Sequence, residues 1–490
     1  MAASATAGGA EDAAALAPWT HRGPLALARF AFDLQRDPVR AFAALAARGE
    51  PTFVFERPRG RARAPARPVV VSTDPALLRL VLHDPRFRNS SLTLSGPRGS
   101  AHRRLRHSIF RMHGEEHRRH RRLVMPAMQP RAVEPLCDAM VDGALRVFGR
   151  YAVGQRRDVA RDAKELARGA AAASLFGIAD LDEAEALGRQ VEDWLADSYR
   201  VVPRLLPYDL PGSRYRAMLR KAERLERTAL ALLARKRESG FAGSDLLTHL
   251  ARELDGSAAS AGGDAGGALR ASDVLGHVHI FFLAAHETTS HALAWTLFLL
   301  AQHPRALERA TDEVRGVLGS ARPTPDALAR LRFLDAAIDE SLRLFPIVPF
   351  GARIAAEDVE LGGRALPRKS RILVPYCALH HDAGSFPEPR RFAPERWLEG
   401  ATPPPYAYLP FGAGLHMCVG TSFAKQSMLV ALACLLQRFS LRVVDGARID
   451  RRTTVTMAPS PGVPIEILPA GTPSRRARVR GSALDLVDLR

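Results

Sequence analysis

Phe411-Gly412-Ala413-Gly414-Leu415-His416-Met417-Cys418-Val419-Gly420 places one thiol among three glycines and an imidazole. Gly412 and Gly414 free the backbone for tight turning, and the missing β-carbons let another surface approach closely. Backbone N–H groups in such a turn moderate the charge on the sulfur. Downstream, Ala424, Met428, Ala431, Leu432 and Leu435 recur at helical spacing, which predicts a helix starting just beyond the cysteine. The positive end of that helix favours thiolate over thiol. Cys418 is therefore a candidate metal ligand, weighed against a buried, inert cysteine beside a glycine turn. The loop is not a dinucleotide fingerprint, because Met417 stands where the third glycine is required.

A chain of 490 residues allows two or three domains, and 47% hydrophobic content is enough for a large core. The formal charge of +18 would suit nucleic acid, an anionic membrane or an acidic protein partner. Zinc-finger spacing and aromatic-basic RNA-binding patterns are missing, so no nucleic-acid partner is expected. Cys137, Cys377, Cys418 and Cys434 are too few for a disulfide framework and suit a reducing, cytoplasmic setting. The N-terminus lacks a basic segment followed by an apolar one, and Glu11 and Asp12 precede the first arginine, Arg22. Both secretion and a mitochondrial transit peptide are thereby disfavoured. The richest apolar stretch, Ile280 to Leu300, is broken by His286, Glu287 and His291, so no membrane span is expected.

Residues 1–23 are expected to form a disordered tail. The run Arg57–Arg63 reads as an exposed turn between β-like segments Thr52–Phe55 and Pro68–Ser72. Helical periodicity then dominates as far as Glu238, and Gly256–Gly267 reads as a flexible loop. Ser272-Asp273 is the expected N-cap of a long apolar helix reaching about Gln302. Further helices are expected over Thr324–Arg330 and Phe333–Leu344, the latter closed by Pro346. Val348–Leu373 alternates as a small β region, and the arginine-rich tail after Ala470 is expected to be disordered.

Phe-Gly-x-Gly-x-His-x-Cys-x-Gly resembles the haem-ligand loop of the cytochrome P-450 family, and the resemblance spans about Pro24 to Pro469. It implies a mainly α, single-domain cytochrome P-450 fold with a small β region, covering residues 24–469, followed by a basic tail over 470–490. It also implies haem b (iron protoporphyrin IX) as cofactor. In that family the thiolate, here Cys418, holds the iron and pushes electron density toward bound dioxygen. Phe411, Gly412, Gly414, His416 and Gly420 would shape the same cofactor-binding loop. Ala284-Ala285-His286-Glu287-Thr288 resembles the family's acid-alcohol stretch. Ala284 would make room for the ring, and Glu287 and Thr288 would deliver protons during oxygen activation. The family usually carries glycine where Ala285 stands. Without the resemblance, Thr288 reads as a helical threonine bonding the carbonyl of Ala284. A zinc-protease reading of His286-Glu287…His291 fails, because histidines five apart lie roughly 140° around a helix.

Glu340 and Arg343, three apart on a helix, together with Arg396 resemble the family's Glu-x-x-Arg helix and later Pro-Glu-Arg stretch. There they would form a buried structural network supporting the cysteine loop. His117 and Arg121 resemble the helical pair that meets the haem propionates, although tryptophan is common in place of His117. Arg353 and His416 match the family's other propionate contacts. The substrate pocket would draw on the 91–112 loop, Phe281, Val348, Phe350 and Met457, which suggests a lipophilic small molecule. The basic run His102–His107 would either grip a carboxylate or form an exposed loop.

A chain with neither iron–sulfur spacing nor a flavin domain after Cys418 needs a separate electron donor. A ferredoxin or flavodoxin with its NAD(P)H-dependent reductase is expected, docking on the face of Arg118, Arg119 and Arg122. The expected activity is insertion of one atom of dioxygen into a lipophilic molecule by a monomeric monooxygenase. Its rivals are a peroxide-dependent peroxygenase, a non-catalytic haem sensor and a basic nucleic-acid-binding protein.

Overall fold

The computed structural model describes residues 19–56, 67–90, 96–199, 206–260, 269–398, 400 and 402–489. The helices that frame the site are α1 (Gly114–Val124), α2 (Val159–Phe176), α3 (Leu181–Tyr199), α4 (Arg214–Glu238), α5 (Ala271–Gln302), α6 (Arg332–Leu344) and α7 (Thr421–Leu436). From Ala292 to Gln302 every residue of α5 is buried, as expected where a helix is apolar on all faces. It packs against α2, α6 and α7 and serves as the axis of the helical portion. Its N-cap is Arg270 rather than the expected Ser272-Asp273 pair. Asp273 lies inside the first turn, and its carboxylate reaches back to the Arg270 N–H at 3.1 Å. The sequence Phe345-Pro346 ends α6, since the residue before proline avoids helical backbone. The helix expected over Thr324–Arg330 is a single turn, Pro325–Leu328.

Six strands make the larger sheet: β1 (Trp19–Arg22), β2 (Thr52–Phe55), β3 (Val69–Ser72), β4 (Phe87–Asn89), β5 (Gly351–Ala355) and β6 (Arg371–Val374). Their order is β1-β2-β3-β6-β5-β4, so chain segments some 300 residues apart share one sheet. Antiparallel pairing of β4 with β5 sets Asn89 opposite Arg353. A separate hairpin of β7 (Asp450–Thr453) and β8 (Met457–Ser460) follows α7 and rests on α5.

The arginine-rich segment after Ala470 is ordered, contrary to the sequence expectation. Arg451 donates to Asp485 and Asp37, and Arg40 donates to Asp485 at 3.0 Å. Ala477, Ala483, Leu486 and Val487 are buried in the main core. A few apolar side chains and carboxylates therefore outweigh the segment's basic composition. Among the described residues no helix is long and apolar enough to cross a membrane. Residues 1–18, the Arg57–Arg63 turn and residues 261–267 of the expected Gly256–Gly267 loop lie outside the described residues. Trp19–Arg22 of the expected tail is held in the sheet by pairing with β2, and residues 256–260 of the expected loop continue a helix over Leu246–Ser260, both contrary to the sequence expectation.

Candidate active site

Gly412 and Gly414 adopt φ of 70° and 71°, backbone that side chains rarely tolerate. A β-carbon on Gly414 would stand 2.1 Å from the Leu82 carbonyl oxygen, so this glycine is required twice over. The Cys418 N–H donates to the Phe411 carbonyl at 2.9 Å and closes the loop on itself. Arg121 of α1 donates through Nη1 to the Met417 carbonyl at 2.9 Å and pins it from outside. Three residues past Cys418, α7 begins at Thr421.

Cys418 keeps accessible surface yet is walled by protein atoms, and this desolvation pushes its thiol above the ordinary range. The Gly420 N–H, the Thr421 hydroxyl and Arg121 pull the other way without prevailing. A bound cation is what would hold this sulfur deprotonated.

Around the loop stands a cluster of basic side chains. The His416 ring lies 4.1 Å from His117 and 5.8 Å from His113, centroid to centroid. Burial pushes His416 down to about 3, with His117, Arg353, His113 and Arg121 adding repulsion. His113 falls to about 4, again chiefly by burial. The imidazoles are thus neutral near pH 7, and Arg121 and Arg353 carry the positive charge. Arg353 is 6% exposed, and burial lowers its pKa. Neither arginine forms an ion pair among the described residues. A buried guanidinium without a carboxylate is costly unless an anion completes it. His113, whose Nδ1 is buried with no hydrogen-bond partner among the described residues, was missed in the sequence. Its only signal was proximity to the basic stretch of α1.

Ala284 is exposed on α5, one turn before Thr288. Thr288 Oγ1 donates to the Ala284 carbonyl at 2.6 Å, and Glu287 Oε1 accepts from the Thr456 hydroxyl at 2.9 Å. Phe281 is buried beside His277, at 6.0 Å between rings. Phe350 is half-buried against Phe42 at 5.2 Å, and Val348 is exposed. Met457 is completely buried in the core, because strand alternation turns Met457 and Pro459 inward. The run His102–His107 is likewise tied down and not an open anion grip. Arg104 is paired with Glu226 at 2.6 Å, His107 with Asp273 at 3.0 Å, and His102 accepts from the Trp194 indole.

Glu340, Arg343 and Arg396 come together below the loop. Arg343 donates twice to the Glu340 carboxylate, at 2.9 and 2.8 Å, with both side chains fully buried. Arg396 adds a third contact at 3.1 Å. Arg343 also donates to the His380 carbonyl at 2.8 Å, and His380 Nε2 accepts from the Leu409 N–H. That chain of bonds runs from α6 to within two residues of Phe411.

Residues 58–465 match the family model described as Cytochrome P-450. The chain belongs to the cytochrome P-450 family. It is a haem-dependent monooxygenase of that family. The cyclooctat-9-en-7-ol 5-monooxygenase of Streptomyces melanosporofaciens is 32% identical over 441 residues, covering 88% of this chain and 92% of that one. The 11-oxo-beta-amyrin 30-oxidase of Glycyrrhiza uralensis is 33% identical over 296 residues, covering 57% and 55%. The crystal structure of the cytochrome P-450DA haem domain superposes with a TM-score of 0.72 at 25% identity, covering 89% of this chain and 94% of that chain. The residues present fit the cofactor that a cytochrome P-450 carries. An accessible thiol, a glycine cradle and two guanidiniums without carboxylates are what an iron porphyrin with two acidic side chains requires.

Proposed function

We propose that this cytochrome P-450 oxidises a lipophilic, terpene-type molecule, with Cys418 as the iron ligand and Glu287 and Thr288 managing protons. The observation carrying the reading is the Cys418 loop, closed by its own hydrogen bonds and flanked by Arg121 and Arg353, neither of which forms an ion pair among the described residues. Bound there, haem supplies dioxygen activation, using two electrons to place one oxygen atom in substrate and the other in water.

The chain's own contribution is placement. Arg121 and Arg353 would neutralise the propionates, with the neutral imidazoles of His117 and His416 as further donors. Ala284, lacking bulk, leaves room beside α5. The Thr288 hydroxyl, bonded to the Ala284 carbonyl, presents its oxygen as an acceptor and passes on a proton when that bond breaks. Glu287, one residue away, exchanges protons with water through the carboxylate oxygen that Thr456 does not hold. The terpene-type assignment rests on the Streptomyces and Glycyrrhiza relatives and on the apolar Phe281, Val348 and Phe350. Electrons would come from a separate ferredoxin or flavodoxin in the cytoplasm, attracted to the basic face of α1.

The test uses two variants of the holoprotein. Cys418→Ser should abolish the long-wavelength absorption of the reduced carbon monoxide complex, and its survival would remove Cys418 as ligand. Thr288→Ala should keep that absorption while diverting reducing equivalents to hydrogen peroxide. Unchanged coupling in Thr288→Ala would refute the proton assignment.

A further inference from the structure

Glu287 and Thr456 stand 169 positions apart in the sequence, yet the Thr456 hydroxyl donates to Glu287 Oε1 at 2.9 Å. Thr456 lies in the turn joining β7 to β8, where Val455 beside it is 48% exposed and Thr456 itself only 5%. A hydroxyl at a hairpin tip normally faces water. Here it is turned inward onto α5.

Its position is fixed from both sides. The next residue, Met457, donates its N–H to the Ile347 carbonyl at 2.7 Å. The Met457 carbonyl accepts from the indole N–H of Trp295 at 2.9 Å. Trp295 is fully buried on α5, two turns beyond Glu287, and stacks on Phe345 at 4.2 Å and 6°. One helix therefore grips the hairpin at two points, once through Trp295 and once through Glu287. Among the described residues no cation forms an ion pair with Glu287. Its carboxylate is held by a neutral donor, which orients it without locking it as a salt bridge. Oε1 is occupied, leaving Oε2 as the oxygen that exchanges protons.

We propose that Thr456 is a positioning residue for proton delivery, holding the Glu287 carboxylate in one orientation from the β7–β8 turn. This rests on the reading of Glu287 and Thr288 above. A proton donor that wanders delivers slowly, and slow delivery lets reduced oxygen leave as hydrogen peroxide (O2 + 2 e− + 2 H+) before full reduction to water (O2 + 4 e− + 4 H+).

The test needs no substrate. Substrate-free holoenzyme is supplied with electrons by a plant-type ferredoxin and its NADPH-dependent reductase, and NADPH, dioxygen and peroxide are counted. Thr456→Val should raise the ratio of peroxide to water on the order of tenfold, the scale of a lost orienting partner. Thr456→Ser should restore it. Infrared difference spectra of the same proteins should show the carboxylate band of Glu287, identified by its loss in Glu287→Gln, displaced in Val and restored in Ser. An undisplaced band in Thr456→Val, or a displaced band with the wild-type peroxide ratio, overturns the role of Thr456. If Glu287→Gln itself keeps the wild-type ratio, the fault lies in the underlying proton assignment. Should the valine variant not fold, Thr456→Ala against Thr456→Ser carries the same comparison.

Discussion

Replacing Glu340 by glutamine changes one atom and should destabilise the protein by about 3–5 kcal/mol. The wild-type carboxylate accepts from five donors. Oε2 takes Arg343 Nε and Trp397 Nε1, both at 2.9 Å. Oε1 takes Arg343 Nη2 at 2.8 Å, the Ala393 N–H at 3.0 Å and Arg396 Nε at 3.1 Å. A glutamine keeps one acceptor oxygen and turns an –NH2 toward the remaining donors. The less costly choice puts nitrogen at Oε2, which orphans Arg343 Nε and the Trp397 indole. Each lost bond to a charged group costs about 1.5–3 kcal/mol, so two account for the total. Full burial of Glu340 and Arg343 leaves water no way to compensate. The assay is urea unfolding of the holoprotein, followed by circular dichroism and by haem absorption. Glu388→Gln, in the exposed pair with Arg391, serves as control and should not move the midpoint. Because Arg343 also holds His380, and His380 holds Leu409, haem absorption should change at lower urea than the helix signal. A loss below about 1 kcal/mol, or two superimposed transitions, would refute the reasoning.

Two further outcomes can be measured on the same preparations. Arg353→Leu should raise the melting temperature of haem-free protein by removing a buried charge without a carboxylate, while weakening haem retention; a fall in the haem-free protein would contradict this. His107 bonds Asp273 at 3.0 Å and faces Glu116 at 3.2 Å, and the Asp273 bond raises its pKa above the ordinary value of about 6.5. A raised histidine contributes stability that is complete below pH of about 6.5 and disappears as pH climbs through its folded value. His107→Gln should therefore flatten the decline of melting temperature on the alkaline side of 6.5, and an unchanged slope would exclude His107 as its source.

Features set by short spacing were legible in the sequence. The glycines around Cys418, the apolar run of α5 and the Glu340/Arg343 pair each carry their meaning within a few residues. The six-stranded sheet was visible only as pieces, since a β-like segment at Pro68–Ser72 cannot say that β3 pairs with β6. The burial of Met457 was not legible, because a strand's two faces look alike until a neighbour claims one of them. The desolvation of Cys418 and of Arg353 was equally hidden, since burial is a property of the assembled wall. Thr456 carried no signal at all, because its partner is on a distant helix. The tail after Ala470 was misjudged because composition averages over Ala483, Leu486 and Val487, the few residues that anchor it.

That anchoring constrains the order in which the chain folds. Arg451 lies 414 positions from Asp37, and Asp485 lies 445 positions from Arg40. Contacts so distant in sequence reward the chain only after a very long loop has closed, which places this clasp among the last features to form rather than in the nucleus. Removing the Arg451 guanidinium, which both carboxylates share, would therefore speed unfolding more than it slows folding.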